Sequence, residues 1–302
     1  MVVLRGNILS CLVGLYEKAL PASLSWEERL MAARRAGYDF VEISIDETDE
    51  KLKRVQLSRE DRHDILRAII NTGTPVLTMC LSGNRRYPIG SEDKAKREKG
   101  IELILKAIDF SIDVGIRIVQ LAGYDNFYEA SNKRTQDLFL DGLYKVTEYA
   151  SSHAVMLSIE NVDTDFMDSI TKIMSYIKKV DSPWLTLYPD IGNLMAAGLS
   201  ISRIEDDIKS NSKYITAFHV KDSLPNIIRR VPYGEGIVNF ERFFSLLDGI
   251  GFEGLLVAEM WSDDSVRSEA TARDAREFIR NRIIASQSSL LDLNSKEVSR
   301  VL

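Results

Sequence analysis

The chain has 302 residues, of which 45% are hydrophobic and 28% charged, and a formal net charge of −6. That composition excludes a disordered protein, and a chain this long buries about 75% of its unfolded surface without needing a disulfide or metal staple. The acidic balance excludes a broad nucleic-acid footprint, and no run approaches the roughly 20 apolar residues of a membrane span.

The apolar stretch 8–15 follows Arg5 but runs into Glu17-Lys18 with no small-residue cleavage pattern, so it reads as a first strand, not a signal peptide. The expected location is cytoplasmic. A helix over 26–36 follows, stopped by Gly37, then a strand over 40–45. Ser58, with Asp61 three residues on, opens a helix that ends at Asn71-Thr72-Gly73 before a strand over 76–80. Ser91-Glu92-Asp93 starts a long helix ending at Gly115; a strand over 117–121 and a helix over 132–152 come next. The second half repeats the rhythm, with strands over 155–159, 185–188, 215–220 and 255–258. Helices over 168–180, 200–209, 239–250 and 266–285 follow them in turn. Cys11 and Cys80 lie in apolar strand-like runs without redox or metal spacing and read as core thiols.

Eight βα units in one chain, with strands apolar on both faces, predict a single (β/α)8 barrel. No glycine-rich dinucleotide fingerprint follows any strand, which argues against an open doubly wound sheet. We therefore read residues 1–285 as one catalytic barrel domain and 286–302 as a polar tail or short packing helix.

In such a barrel the chemistry sits where strands end. The last four strands end in Ser158-Ile159-Glu160-Asn161, Leu187-Tyr188-Pro189-Asp190, Phe218-His219-Val220-Lys221-Asp222 and Ala258-Glu259-Met260-Trp261. Each residue alone is as readily a cap, an ion pair or a core histidine. Together, three carboxylates and an imidazole on one rim would repel and desolvate one another without a cation between them. Glu160, Asp190, His219 and Glu259 are thus the expected ligands of one divalent metal ion. An oxygen-rich set with one nitrogen suits Mn²⁺, Mg²⁺ or Zn²⁺.

Longer segments carry a resemblance. Gly14-Leu15-Tyr16-Glu17-Lys18-Ala19-Leu20-Pro21, Gln120-Leu121-Ala122-Gly123-Tyr124-Asp125, Leu187-Tyr188-Pro189-Asp190-Ile191-Gly192-Asn193 and Glu259-Met260-Trp261 are among them. In these the chain resembles the L-ribulose-5-phosphate (L-xylulose-5-phosphate) 3-epimerases of the xylose-isomerase-like superfamily. The resemblance implies the same four metal ligands, a phosphorylated ketopentose substrate and a homodimer. It also implies that Glu160 and Glu259 remove and return the C3 proton on opposite faces of a metal-stabilised enediolate. For substrate contact the candidates are Lys221, Asn193, Arg85, Arg86, Glu17, Tyr16, Gln120 and Trp261, with Tyr124 beside them. Epimerases of free ketoses carry a histidine three residues after the aspartate ligand and an arginine six after the histidine ligand. Here Asn193 and Pro225 stand at those places, which fits a phosphorylated substrate.

Three rivals stand beside this reading: an aldose–ketose isomerase on the same scaffold, an abasic-site endonuclease and a non-catalytic sugar-binding barrel. The nuclease needs several histidines, and of His63, His153 and His219 only the last ends a strand. A pure binding protein needs no paired glutamates.

Overall fold

The computed structural model describes residues 11–301, with side chains from 11 to 286. Eight strands make one parallel sheet: β1 (Val13–Tyr16), β2 (Phe40–Ser44), β3 (Val76–Leu81), β4 (Ile118–Ala122), β5 (Met156–Glu160), β6 (Leu185–Leu187), β7 (Ala217–Val220) and β8 (Leu255–Ala258). Outside them lie α1 (Trp26–Arg35), α2 (Asp49–Arg54), α3 (Arg59–Thr72), α4 (Lys94–Val114) and α5 (Lys133–Ser152). The ring continues with α6 (Ile170–Val180), α7 (Ile191–Ala196), α8 (Ile201–Asn211), α9 (Phe240–Gly249) and α10 (Ser268–Val301). The expected (β/α)8 barrel is the observed fold.

Ladders run β6-β5-β4-β3-β2-β1-β8-β7. Between β6 and β7 the ring closes through single parallel bridges, Leu187 to Ile215 and Asp190 to His219. The seam is thin for a local reason. Pro189 has no N–H to donate, so β6 stops at Leu187. Pro189 still accepts from His219 N at 3.0 Å. Two of the candidate ligands therefore face each other across this seam.

Local signals account for most boundaries. Ser58 accepts from Asp61 N, and Gly73 and Gly115 end their helices in the left-handed region at φ +67° and +90°. The long fourth helix is capped by Asp93, whose Oδ1 accepts from Ala95 N and Lys96 N, and so starts later than Ser91. α2 and α7 are too short to show a periodic pattern. The last helix continues through the stretch read as a polar tail or short packing helix, since residues 268–301 contain no glycine or proline to stop it. The expected first strand starts at residue 8; residues 8–10 lie outside the described part.

One close approach shapes the barrel interior. A Cβ at Gly14 would sit 2.3 Å from the Phe40 ring, so glycine on β1 lets that ring fill the space between strands. Phe40, Ile118, Tyr188 and Val257 pack there as one inner cluster, and the site rests on that floor.

Candidate functional site

Glu160 is the last residue of β5, Asp190 caps α7, His219 lies on β7 and Glu259 follows β8. One ligating atom from each lies within 4.8 Å of the others, and all four residues are buried. Asp190 is placed by its own backbone. Its N–H donates to Asn161 Oδ1 at 2.8 Å, and its Oδ1 accepts from Asn193 N at 2.9 Å. Its Oδ2 is left without a hydrogen bond, although Lys221 Nζ lies 2.6 Å away off the bonding direction.

Charge dominates this cluster. Burial, joined by the charges of Glu259 and Glu160 and opposed by Lys221, pushes Asp190 up to about 7. Burial would also raise Glu259, but Lys221 and His219 outweigh it and hold that carboxyl down at about 2. His219 is pulled down by burial and pushed up by Glu42, Glu259 and Glu160, which win and hold it well above an ordinary imidazole. Lys221 is likewise held above its usual range by Asp190, Glu259 and Glu160 against its burial. Four carboxyl groups (Glu42, Glu160, Asp190, Glu259) thus crowd around His219 and Lys221, and once His219 is neutral, as a nitrogen ligand must be, Lys221 is the one cation among these six groups. A divalent cation would offset the remaining negative charge, and Asp190 Oδ2, which accepts no hydrogen bond and has only its ion pair with Lys221, faces the cluster. Three oxygens and one imidazole nitrogen also form a suitable donor set. The residues fit a divalent metal.

Above the cluster opens a cavity of about 350 Å³. Glu160 and Glu259 line it, whereas Asp190 and His219 have no exposed surface. The two glutamates come from β5 and β8, three strands apart around the ring, and are pinned separately. Glu160 Oε2 accepts from Gln120 Nε2 at 2.5 Å, and Glu259 Oε2 from Lys221 Nζ at 2.6 Å.

Most residues singled out from the sequence gather here. Tyr16, Arg85, Tyr124, Asn193, Lys221 and Trp261 line the cavity. Asn193 donates to Asn161 O at 2.9 Å and keeps a buried Oδ1 without a partner; Gln120 Oε1 is equally free. Arg85 lies over the rings of Tyr124 and Phe127 at 5.4 and 4.6 Å. Three residues stand elsewhere. Gln120 is fully buried beside Glu160 and is not part of the cavity wall. Glu17 is sealed behind the mouth, its carboxylate bound by Arg54 at 2.7 Å, by Lys51 and by Ser44 N at 2.7 Å. Arg86 turns outward and pairs with Asp49 at 2.5 Å.

The sequence reading missed Lys18, Arg229 and Arg230, which also line the cavity, and Glu42, which holds His219 from below. The arginines sit in the long segment between β7 and α9, where no periodicity marks them. Glu42 did leave a signal, a lone charge inside the apolar run Phe40–Ser44.

Comparison with known proteins agrees with this geometry. The family described as xylose isomerase-like TIM barrel matches residues 30–282. L-ribulose-5-phosphate 3-epimerase UlaE of Escherichia coli O157:H7 is 45% identical over 271 residues, 90% of this chain and 94% of that protein. The UlaE protein of Escherichia fergusonii matches to the same extent. The chain belongs to the L-ribulose-5-phosphate 3-epimerase family. Among solved structures, an L-ribulose 3-epimerase superposes with a TM-score of 0.77 at 20% identity, covering 94% of this chain and 98% of that one. A D-allulose 3-epimerase from Methylomonas sp. in complex with D-allulose gives 0.74 at 19%, covering 90% and 97%. At such identities these structures speak for the fold alone. The protein is a sugar-phosphate 3-epimerase with a candidate metal centre. Among the described residues no helix is long and apolar enough to cross a membrane.

Proposed function

We propose that this enzyme interconverts L-ribulose 5-phosphate and L-xylulose 5-phosphate. The observation that carries the reading is the division of labour in the cluster: two glutamates face the cavity, while the aspartate and histidine are buried beneath. Glu160, Asp190, His219 and Glu259 would hold one divalent ion, with Mn²⁺, Mg²⁺ or Zn²⁺ suited to the donor set. When bound, that ion supplies Lewis-acid stabilisation of the negative charge that develops on the substrate's oxygens.

The chain's own residues do the rest. Inverting C3 requires a proton to leave one face and return to the other, so a base is needed on each side. One glutamate takes the C3 proton as the other, already protonated, delivers its own to the opposite face. The two carboxyls exchange roles, and the reverse reaction uses the same pair. Gln120 and Lys221 fix the glutamates' orientations. The unpartnered Asn193 Oδ1, on the cavity wall, is an acceptor ready for a sugar hydroxyl. Arg85, Arg229 and Arg230 bring positive charge to the cavity's outer part, whereas Lys18 is paired there with Asp46 at 2.5 Å; among the described residues neither Arg229 nor Arg230 forms an ion pair. A phosphate matches that rim.

The test is incubation with L-ribulose 5-phosphate and Mn²⁺ in D₂O, followed by NMR. Deuterium at C3 together with a new L-xylulose 5-phosphate spectrum supports the reading. Exchange confined to C1 or C2 would instead mark an aldose–ketose isomerase.

A further inference from the structure

Glu42 touches no part of the cavity, yet it is a carboxylate without exposed surface in the middle of apolar β2. A buried charge is costly unless its oxygens are bonded, and here both are. Oε1 accepts from His219 Nε2 at 2.6 Å; Oε2 accepts from Thr78 Oγ1 at 2.8 Å and Tyr188 OH at 2.7 Å. The backbone is built for this contact. The β2–β3 ladder slips between Val41 and Glu42, so that Val41 faces Val76 but Glu42 faces Thr78. Such bulges re-aim side chains next to sites, and this one puts a hydroxyl donor beside the carboxylate.

The consequence falls on the imidazole. A ring that donates from Nε2 turns Nδ1 toward whatever lies opposite. His219 Nδ1 is 2.8 Å from Glu160 Oε1 and 3.9 Å from both Asp190 Oδ2 and Glu259 Oε2. We propose that Glu42 is the positioning residue of the metal centre, keeping the proton on His219 Nε2 so that the Nδ1 lone pair is presented to the divalent cation. Thr78 and Tyr188 hold Glu42 in turn, and the Tyr188 ring packs edge-on against the imidazole with centroids 4.8 Å apart. Glu42 acts through His219 and not on the sugar. The inference rests on the reading that the four residues bind a divalent ion.

Two measurements test it on the full chain. Titration with Mn²⁺, followed by the electron paramagnetic resonance of the free ion, compares wild type with Glu42→Gln and Thr78→Val. Loss of such an outer partner weakens metal binding about ten- to a hundredfold, and that drop is expected for Glu42→Gln, with a smaller one for Thr78→Val. KM for the sugar phosphate at saturating Mn²⁺ should stay unchanged. The second measurement needs no variant: nitrogen-15 NMR of the Zn²⁺-loaded wild type should find the single ring proton of His219 on Nε2. A proton on Nδ1, or wild-type Mn²⁺ affinity in Glu42→Gln, overturns the role of Glu42 and leaves the metal site standing. Wild-type protein that binds no Mn²⁺ overturns the metal site and the proposal together.

Discussion

Two buried acidic clusters lie within the same barrel and behave as opposites. Around Glu17 a single carboxylate is surrounded by Arg54, Lys51 and the nearby Arg29, and by a backbone N–H from Ser44. Burial would raise Glu17, but the charges of Arg54, Lys51 and Arg29 prevail and lower it. At the other, four carboxyl groups crowd around His219 and Lys221, and one carboxyl oxygen, Asp190 Oδ2, accepts no hydrogen bond. The first cluster is closed by the protein itself; the second is left with negative charge that a bound cation would offset. A buried carboxylate thus points to chemistry when its neighbours leave charge uncancelled, and to architecture when they do not.

The largest effect that can break this contrast is on the open cluster. Stripping the protein with a chelator should remove turnover altogether, and Mn²⁺ should restore it; undiminished activity in stripped protein would sink the distinction. Next come Glu160→Gln and Glu259→Gln. General acid–base catalysis contributes about 10² to 10⁴-fold, so each variant should lose that much kcat. Circular dichroism should show the fold unchanged, because each amide keeps a neutral acceptor at the cavity edge. Glu17→Gln should do the reverse. Removing one partner of a buried ion pair costs about 3–5 kcal/mol, and the lower end is expected because Lys51 and Arg54 keep some water. Denaturant unfolding should register that loss while kcat of the folded variant stays near wild type.

Acidity separates Glu17 from Asp190 by sign. Glu17 is lowered in the folded state, so its contribution is present above the ordinary carboxylate range and is lost as pH falls through it. Asp190 is raised to about 7, so in metal-free protein its contribution is present below about 4 and is lost as pH climbs toward 7. Binding Mn²⁺ removes that penalty. The rise in Tm on adding Mn²⁺ should therefore grow between pH 5 and pH 8, and a flat dependence would contradict the open cluster's electrostatics.

How much of this was legible in the chain follows the same line. The barrel could be read because helix stops such as Gly73 and Gly115, and caps such as Ser58, are local signals. The four candidate ligands could be read as one cluster because each lies at or just past the C-terminal end of a strand, and those ends in a barrel share one rim. Glu17 looked equivalent, since it too follows a strand, but its partners Lys51 and Arg54 sit on a short helix with no periodic signature. Arg229 and Arg230 were hidden in an irregular segment, and only the folded chain turns them toward the mouth. Glu42 was visible as an anomaly, but its partner lies 177 residues away.

The smallest effects separate two neighbours that sequence presents as a pair. Arg85 lies over Tyr124 and Phe127 inside the cavity, its nearest acid being Glu47 at 3.9 Å. Arg86, next to it, pairs with Asp49 on the outside, both side chains well exposed to solvent. By the closed-or-open criterion Arg85 is expected to meet the substrate, and Arg86 stays on the surface. A lost charge-assisted hydrogen bond is worth about 1.5–3 kcal/mol, so Arg85→Ala should raise KM for the sugar phosphate at least about tenfold. Arg229→Ala should act in the same direction. For Arg86→Ala the expectation is an unchanged KM and a stability within about 0.5 kcal/mol of wild type, since exposed ion pairs contribute little. Parallel steady-state kinetics on the three variants decides the matter: a KM that rises for Arg86→Ala and stays put for Arg85→Ala would mean that the guanidinium facing the cavity is not the one that meets the phosphate.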